Sequence, residues 1–234
     1  MQIISCKDYW QLSQKAAELV KKQIEGNPET VLGLPTGSTP LGMYEQLTQS
    51  GLDFSRVTTF NLDEYVGLDK ENPQSYYYYM NTNLYSKVNL KPENCNIPNG
   101  SGSDLEKSAK RYDEKIKACG GIDLMVLGIG NNGHIGFNEP DDDLETETHV
   151  VTLTEETRKA NSRFFSSMDE VPKQAVTMGV GSIMKAKRIL MLASGEDKKN
   201  VVSQLMEGKV TTENPATLLL LHPRVTVLCD WEEV

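Results

Sequence analysis

Short apolar runs alternate along this chain with longer stretches in which apolar side chains recur at helical spacing. In residues 9–24 these side chains share one helical face, and Gly26-Asn27-Pro28 ends the pattern. Similar patterns predict further helices at residues 41–48, 75–85, 105–118, 154–165, 182–187, 198–207 and 216–221. The apolar runs predict strands at residues 1–5, 30–34, 57–62, 122–129, 150–153, 175–178, 188–193 and 225–229.

This alternation of strands and helices predicts an α/β fold, with a mostly parallel sheet and helices on both of its faces. The 234 residues are enough for one domain with a full core. No repeat, low-complexity tract or linker divides them. We therefore expect a single domain over residues 1–234.

The formal net charge of −9 disfavours a nucleic-acid partner, because phosphate backbones are bound by basic surfaces. The same charge is compatible with a small anionic substrate, because a local group of amides or one Arg can outweigh the negative net charge of the protein. The cysteines are scattered without metal-like spacing, which indicates reduced thiols: Cys6, Cys95, Cys119 and Cys229. No secretion signal or membrane-length apolar run is evident, so we expect a cytoplasmic enzyme without a membrane partner.

The segment 122–140 carries the most informative chemistry. Its apolar run predicts a buried strand, and the Gly-rich loop that follows contains His134 and, five residues later, Glu139. Open α/β sheets bind ligands beyond such strand ends. His134 suits proton transfer near neutrality, and Glu139 could orient it by holding the proton of the second ring nitrogen. The alternative is a structural histidine bound to backbone, but the flanking Gly133 and Gly136 favour an exposed ring.

The loop at residues 34–40, Leu-Pro-Thr-Gly-Ser-Thr-Pro, follows a predicted strand and opens a helix. Gly37 permits close folding around an anion, while hydroxyls and first-turn amides supply the neutral donors that phosphate prefers. An equally supported alternative is a turn in which Ser38 and Thr39 merely cap the helix. The loop lacks the lysine of a Walker A motif, which excludes an NTP γ-phosphate as its target.

Residues 128–133, Gly-Ile-Gly-Asn-Asn-Gly, formally match the dinucleotide-binding fingerprint. That fingerprint requires a helix directly after the third glycine, and the following residues cannot start an ordinary helix. A nicotinamide or flavin cofactor is therefore disfavoured, and the glycines are better explained as bringing backbone close to a sugar. A zinc site is also poorly supported, because His149 and His222 have no ligand-like spacing to His134.

Two adjacent carboxylates, Asp63 and Glu64, follow the strand predicted at residues 57–62. Adjacent residues point to opposite sides, so only one can face a given pocket, where it could remove a carbon-bound proton. The alternative is a helix cap beside a solvated acid. The four consecutive tyrosines at 76–79 are interpreted as packing plus surface, because a helix distributes them around its circumference.

Five segments together closely resemble the glucosamine-6-phosphate deaminase (isomerising) family: LGLPTGSTPLGMY, TTFNLDEYVGL, LGIGNNGHIGFNEP, TRKANSRFF and TMGVGSIMKAK. The resemblance extends over nearly the whole chain, in order and with sensible spacings. It implies a Rossmann-like α/β sheet, shared with 6-phosphogluconolactonases. It also implies the conversion of glucosamine 6-phosphate and water to fructose 6-phosphate and ammonia, a hydrolase reaction on a C–N bond in amino-sugar catabolism. Metal and redox cofactors are not part of this chemistry.

The resemblance also implies a role for each matching residue. Asp63 matches the base that moves a proton between C2 and C1, and His134 matches the residue that opens the sugar ring. Glu139 matches the carboxylate partner of that histidine. Asn132 stands where some members have Asp; it still accepts a hydrogen bond from an imidazole N–H but supplies no charge. We expect a weaker pull on the His134 pKa and a shifted pH profile, with activity retained.

The phosphate site implied by the resemblance combines the loop with two cations. Its members are Thr36, Gly37, Ser38, Thr39, Arg163 and Lys198. The sequence pattern by itself does not single out these two cations among several Lys and Arg residues. Arg163 lies in a segment that resembles the family's mobile lid, about residues 154–175, which would close over substrate and exclude water.

One departure from the family concerns regulation. Allosteric bacterial members are hexamers activated by N-acetylglucosamine 6-phosphate through basic residues shortly after the FNEP motif and a longer C-terminal tail. Here residues 141–149 are strongly acidic and would repel a phosphate, and the chain stops at Val234. We therefore expect a short, non-allosteric enzyme that is a monomer or small homo-oligomer.

Two other functions are alternatives to deamination. A 6-phosphogluconolactonase would share the fold but has no need of a base at Asp63, and the Gly-Phe-Asn-Glu sequence after His134 disfavours it. A non-catalytic sugar-phosphate sensor would carry a helix-turn-helix segment, and the chain has no basic N-terminal module. Release of ammonia distinguishes the deaminase from both.

Overall fold

Seven parallel strands form the main sheet in a computed structural model that describes residues 1–231. In spatial order they are β1, β10, β9, β6, β2, β3 and β5. Their bounds in chain order are β1 Gln2–Ser5, β2 Val31–Leu34, β3 Thr58–Asn61, β5 Cys95–Asn96, β6 Leu124–Gly128, β9 Ile189–Ala193 and β10 Val225–Cys229. The chain moves outward from β2 to β3 and β5, then returns to β6 on the other side of β2. This reversal opens a crevice at the carboxyl ends of the strands, where α/β sheets bind ligands.

The described residues form seven α-helices. They are α1 Tyr9–Gly26, α2 Leu41–Thr48, α3 Tyr76–Asn83, α4 Leu105–Ala118, α5 Glu155–Asn161, α6 Val180–Met184 and α7 Lys199–Met206. Short 3₁₀ turns occupy Tyr85–Lys87, Pro92–Asn94, Ser162–Phe164, Met168–Glu170, Glu196–Lys198 and Pro215–Leu221. Four of the α-helices begin at side chains that accept a backbone N–H, as helix N-caps do: Asp8, Ser75, Asp104 and Thr154.

Alternate side chains of the central strands enter two separate cores. Leu124 and Val126 of β6 pack with α1 and α2, while Met125 and Leu127 pack on the other face with α4 and α7. Burial on both faces explains why β6 is a continuous apolar run, since each successive side chain meets a hydrophobic layer. The predicted fold class, α/β with a mostly parallel sheet and helices on both faces, is confirmed.

A second, three-stranded antiparallel sheet was not predicted. It pairs β4 (Asp63–Tyr65) with β8 (Gln174–Thr177), and β8 with β7 (His149–Thr152). The strands at 150–153 and 175–178 were predicted, but their separation from the main sheet was not. Two carboxylates at the start of β4 give it a poor strand pattern, so its pairing depends on tertiary contacts with β8. This sheet places Asp63 opposite Thr177.

Several predicted helices differ from those observed. The helix predicted at 154–165 ends as α5 at Asn161 and continues as a 3₁₀ turn, and the one predicted at 216–221 is wholly 3₁₀. The helix predicted at 182–187 begins and ends earlier, as α6. By contrast, α2, α4 and β10 have the predicted bounds. Within residues 1–231, no helix is both long and apolar enough to cross a membrane.

Candidate active site

Loops from four neighbouring strands enclose a cavity of about 550 Å³ at the carboxyl edge of the main sheet. They follow β9, β6, β2 and β3, which are consecutive in the sheet. Nine of the ten site residues predicted from the sequence line this cavity: Thr36, Gly37, Ser38, Thr39, Asp63, Asn132, His134, Arg163 and Lys198. The tenth, Glu139, is not among the lining residues. Parallel strands explain the convergence, because their carboxyl ends meet at one edge.

The loop at residues 35–39 forms one wall of the cavity. Gly37 has a φ of 96°, a left-handed conformation in which successive amides can face a common anion. The helix that follows, α2, has Pro40 as its N-cap and no side-chain capping bond. The alternative in which Ser38 or Thr39 caps the helix is therefore not what the structure shows. Both residues line the cavity instead.

Two cations line the same cavity, Arg163 from the predicted lid segment and Lys198 from the turn after β9. Lys198 ends the 3₁₀ turn after β9, and its side chain is only 16% exposed. Burial lowers the pKa of the Lys198 ammonium, and the charge of Arg163 lowers it further, against the opposing effect of Asp197. Repulsion between Arg163 and Lys198 would be relieved by an anion bound between them. Together with the loop at 35–39, the two side chains can hold a phosphate dianion.

Asp63 is the carboxylate that faces the cavity, while Glu64 points away from it. Glu64 accepts hydrogen bonds of 2.8–2.9 Å from the backbone amides of Tyr65, Tyr76 and Tyr77, and so caps the start of α3. Burial raises the pKa of the Asp63 carboxyl to about 8, and the nearby charge of Glu64 raises it in the same direction. A carboxylate with this pKa is well matched to accepting a carbon-bound proton near neutral pH.

His134 is held by its own loop. Its Nδ1 lies 2.7 Å from Oδ1 of Asn132, and a Cβ on Gly130 would overlap its ring. Because an amide oxygen only accepts, Nδ1 carries the proton and Nε2 keeps its lone pair. Burial lowers the pKa of His134 to about 4, with Lys198 adding to this effect and Glu139 opposing it. The imidazole is therefore neutral near pH 7 and able to accept a proton.

Glu139 contacts the start of α5. Its Oε2 accepts a 2.7 Å hydrogen bond from the hydroxyl of Thr154, the N-cap of that helix. Its Oε1 is buried and makes no hydrogen bond with the described residues. The expectation that Glu139 holds the ring proton of His134 differs from this geometry, because Asn132 occupies that position. Glu139 acts on His134 through its charge, which opposes the lowered pKa.

Tyr76 was not predicted as a site residue, yet it lines the cavity. Its ring is stacked on Phe137 at 6.1 Å and lies 4.7 Å from Tyr65, measured between centroids. The interpretation of the tyrosine run as packing plus surface holds for Tyr77 and Tyr78, which are 36% and 40% exposed. The N-cap at Ser75 was the available sequence signal, since it places Tyr76 at the first helical turn.

The segment predicted as a lid, residues 154–175, supplies one side of the cavity through Glu156, Thr157, Ala160, Asn161 and Arg163. Asn161 donates a 3.0 Å hydrogen bond to the Tyr65 hydroxyl. Arg158 donates to the carbonyls of Met168 and Val171 within the same segment. The Asn161 bond attaches the segment to β4, while the Arg158 bonds brace the segment internally.

The loop that follows β6 departs from a dinucleotide-binding motif, because no helix follows Gly133. Two histidines are engaged away from the site: His149 contacts the carbonyl of Glu147, and His222 that of Ala186. Among residues 1–231, no group of three or more His, Cys, Asp or Glu side chains is placed to hold a metal ion.

Comparison with known proteins places the chain among sugar-phosphate enzymes. The sequence model of the family described as glucosamine-6-phosphate isomerases/6-phosphogluconolactonase matches residues 9–228. A glucosamine-6-phosphate deaminase of Thermoanaerobacter pseudethanolicus is 56% identical, over 99% of this chain and 93% of that protein. The solved structure of a monomeric glucosamine-6-phosphate deaminase has a TM-score of 0.96 at 47% identity, over 98% of this chain and 97% of its own.

A 6-phosphogluconolactonase from Thermotoga maritima also shares the fold, with a TM-score of 0.76 at 21% identity over 99% of each chain. That likeness concerns the fold alone. The resemblance to glucosamine-6-phosphate deaminases, identified from five sequence segments, is confirmed by the much more similar relatives. The chain belongs to the family of glucosamine-6-phosphate isomerases and 6-phosphogluconolactonases.

Proposed function

We propose that this protein is a glucosamine-6-phosphate deaminase, which converts glucosamine 6-phosphate and water to fructose 6-phosphate and ammonia in amino-sugar catabolism. The observation that carries the proposal is the convergence of three groups on one cavity: a buried carboxylate at Asp63, a neutral imidazole at His134 and the loop at 35–39. An aldose–ketose isomerisation of a phosphorylated sugar needs a base at carbon, an acid–base group at the ring oxygen and an anchor.

Ring opening is assigned to His134. Nε2 accepts the proton of the O1 hydroxyl, the C1–O5 bond breaks as a C1 aldehyde forms, and the same proton is delivered to O5. The first transfer requires a neutral imidazole, which agrees with the lowered pKa of His134. The hydrogen bond from Nδ1 to Asn132 holds the ring in the tautomer that leaves Nε2 free.

Isomerisation is assigned to Asp63. Its carboxylate removes the proton from C2 of the open chain while the C2 ammonium passes one proton to O1, giving an enol at C1 with a neutral amino group on C2. Return of the proton to C1 gives a CH₂OH group and an iminium at C2. Water adds to C2 and ammonia leaves, so that the ketone of fructose 6-phosphate remains. Because water is consumed and the C2–N bond is broken, the net reaction is a hydrolysis as well as an isomerisation.

The phosphate group is the anchor that keeps C2 beside Asp63. We assign it to Thr36, Gly37, Ser38, Thr39, Arg163 and Lys198, all of which line the cavity. Because Arg163 belongs to residues 154–175, binding of phosphate would draw this lid over the substrate. Closure would exclude water until the sugar is in place.

The proposal includes a non-allosteric monomer that works in the cytoplasm. Residues 141–147 contain five carboxylates and would repel a phosphorylated activator. A monomeric state agrees with the state of the similar solved deaminase. The free thiols of all four cysteines agree with a reducing compartment. A sigmoidal rate curve that N-acetylglucosamine 6-phosphate made hyperbolic would contradict the non-allosteric part.

The direct test of the reaction is its stoichiometry. Wild-type protein is incubated with glucosamine 6-phosphate, and ammonia and fructose 6-phosphate are measured in the same samples. We expect equal amounts of both products and no hydrolysis of 6-phosphogluconolactone. Lactone hydrolysis without ammonia would assign the protein to the lactonases. Binding of sugar phosphate without either reaction would assign it to the sensors.

A further inference from the structure

Three tyrosine hydroxyls hold the backbone of the loop at 35–39 from the side away from the cavity. Tyr44 donates to the Pro35 carbonyl at 2.6 Å, and Tyr79 donates to the Gly37 carbonyl at 2.6 Å. The Tyr9 hydroxyl lies 3.2 Å from the carbonyl of Ser38 and 3.1 Å from that of Thr39. The tyrosines come from three different helices, α2, α3 and α1, and none of them lines the cavity.

These bonds fix the direction of the amides as well as that of the carbonyls. In a planar trans peptide, the N–H of one residue points opposite to the C=O of the residue before it. Holding the Pro35 and Gly37 carbonyls on the outer side therefore turns the N–H groups of Thr36 and Ser38 towards the cavity. Across residues 1–231, the amides of Thr36, Gly37, Ser38 and Thr39 make no hydrogen bond as donors. An anion is the ligand that such a set of amides is suited to bind.

Tyrosine is well suited to this task because its hydroxyl is a neutral donor. Burial raises the pKa values of Tyr44 and Tyr79 well above their ordinary range, so both keep the proton that they donate. Their rings support each other edge to face, with centroids 6.4 Å apart. The Tyr9 hydroxyl also accepts the N–H of Gly42 at 2.9 Å, which ties the loop to the first turn of α2.

We infer that Tyr9, Tyr44 and Tyr79 are positioning residues for the phosphate site. They keep the carbonyl oxygens of the loop, which would repel a phosphate dianion, turned away from the cavity. They thereby present the loop amides to the phosphate of the substrate. The identity of the anion as a sugar phosphate rests on the proposed function, whereas the arrangement of hydroxyls, carbonyls and amides does not.

The test compares Tyr79→Phe and Tyr44→Phe with wild-type protein in two assays. One is the steady-state rate with glucosamine 6-phosphate, and the other is calorimetric binding of inorganic phosphate. The phosphate is bound alike before and during the chemical steps, so its weakening should raise KM and leave kcat nearly unchanged. We expect KM and the dissociation constant of phosphate each to rise about five- to tenfold.

Tyr112→Phe is the matched control. Tyr112 is also buried, and its hydroxyl donates to the carbonyls of Asn61 and Asn96 rather than to the loop. It should lose stability without weakening phosphate binding, which separates positioning from a general loss of stability. If Tyr79→Phe or Tyr44→Phe fails to fold, Tyr9→Phe provides the same test, because Tyr9 is 37% exposed.

Folded variants with unchanged KM and unchanged phosphate affinity would overturn the inference, as would wild-type protein that binds no phosphate. The binding assay needs no turnover, so it separates this inference from the proposed function. Wild-type protein that binds phosphate but releases no ammonia would contradict the proposed function alone. Weaker phosphate binding by Tyr79→Phe would still support the inference in that case.

Discussion

The side-chain oxygen of Asn132 lies 2.7 Å from Nδ1 of His134. It also accepts the backbone N–H of His134 at 3.2 Å, so one amide oxygen fixes both the loop and the ring. This contact determines which ring nitrogen is free to take a proton. It does so without a charge, which leaves Glu139 to oppose the effect of burial on the His134 pKa.

Replacing this neutral contact by a charged one should raise the His134 pKa. In Asn132→Asp, a carboxylate would lie against Nδ1–H and stabilise the imidazolium. We expect the pKa of His134 to rise from about 4 by one unit or more. The check is an NMR titration of the three histidine rings, assigned with His134→Gln. A His134 titration that does not move between wild type and Asn132→Asp would contradict this account.

Activity should depend on the ionisation of Asp63. Its carboxyl must be deprotonated to accept the C2 proton, and burial raises its pKa to about 8. We therefore expect kcat/KM to fall as pH decreases below about 8, approaching a tenfold loss per pH unit.

The variant Glu64→Gln tests whether this fall in kcat/KM is caused by protonation of Asp63 or by ionisation of the substrate. It keeps one oxygen that can accept the amides of Tyr65 and Tyr76, gives up the bond from Tyr77, and removes the charge that helps to raise the Asp63 pKa. The fall in kcat/KM should therefore begin at a lower pH in Glu64→Gln. A fall caused by ionisation of the substrate would begin at the same pH in both proteins. A flat profile between pH 6 and 9 in wild type would exclude Asp63 as the titrating base.

The same buried carboxylate should cost stability at high pH. Its folded pKa of about 8 lies above the ordinary aspartate pKa of 3.8, so the native state keeps a proton that the unfolded state has lost. Between these values the free energy of unfolding of the wild type decreases as pH rises, and it levels off above pH 8. Asp63→Asn removes this penalty, and we expect it to be more stable by about 2 kcal/mol or more at pH 8.

Urea denaturation of Asp63→Asn and wild type at pH 4, 6 and 8 measures this difference. The advantage of the variant should be small at pH 4 and should grow towards pH 8. An advantage that is independent of pH would mean that the ionisation of Asp63 is not its cause.

Lys198 should contribute to substrate binding through its charge. Lys198→Gln removes one of the two cationic side chains that line the cavity, the other being Arg163. We expect KM for glucosamine 6-phosphate to rise more than about tenfold, because charge-assisted bonds to phosphate are strong. Lys199→Gln is the adjacent control, since Lys199 is 40% exposed and pairs with Glu196. Equal effects of both substitutions on KM would point to general electrostatics rather than to a phosphate contact.

Much of the site could be predicted because it is encoded locally. Glycine and proline mark the loop at 35–39, and the glycines around His134 mark a second loop directly after a buried strand. Parallel strands bring such loops to one edge of the sheet. The predicted fold class therefore implied that the two loops would lie close together. The bounds of α4 were predictable for a similar reason, since Asp104 caps a helix with a regular apolar face.

The remainder depends on contacts between segments that are distant in sequence. β4, which begins at Asp63, is a strand because it pairs with β8. No local pattern of apolar residues predicts that pairing. The contact of Glu139 with Thr154 joins two loops, and it leaves Asn132 as the partner of the imidazole. The tyrosine run by itself predicts only packing and surface positions, whereas the hydrogen bond from the Tyr79 hydroxyl to the Gly37 carbonyl joins residues that are 42 positions apart.

We assign the two proton transfers of one deamination to Asp63 and His134. The decisive measurement is ammonia release from glucosamine 6-phosphate in Asp63→Asn and His134→Gln, with Asp69→Asn and His149→Gln as controls that make the same chemical changes at residues that do not line the cavity. We expect the first two variants to lose at least about a hundredfold in kcat while staying folded, and the controls to resemble wild type. Undiminished ammonia release by folded Asp63→Asn or His134→Gln would contradict this assignment.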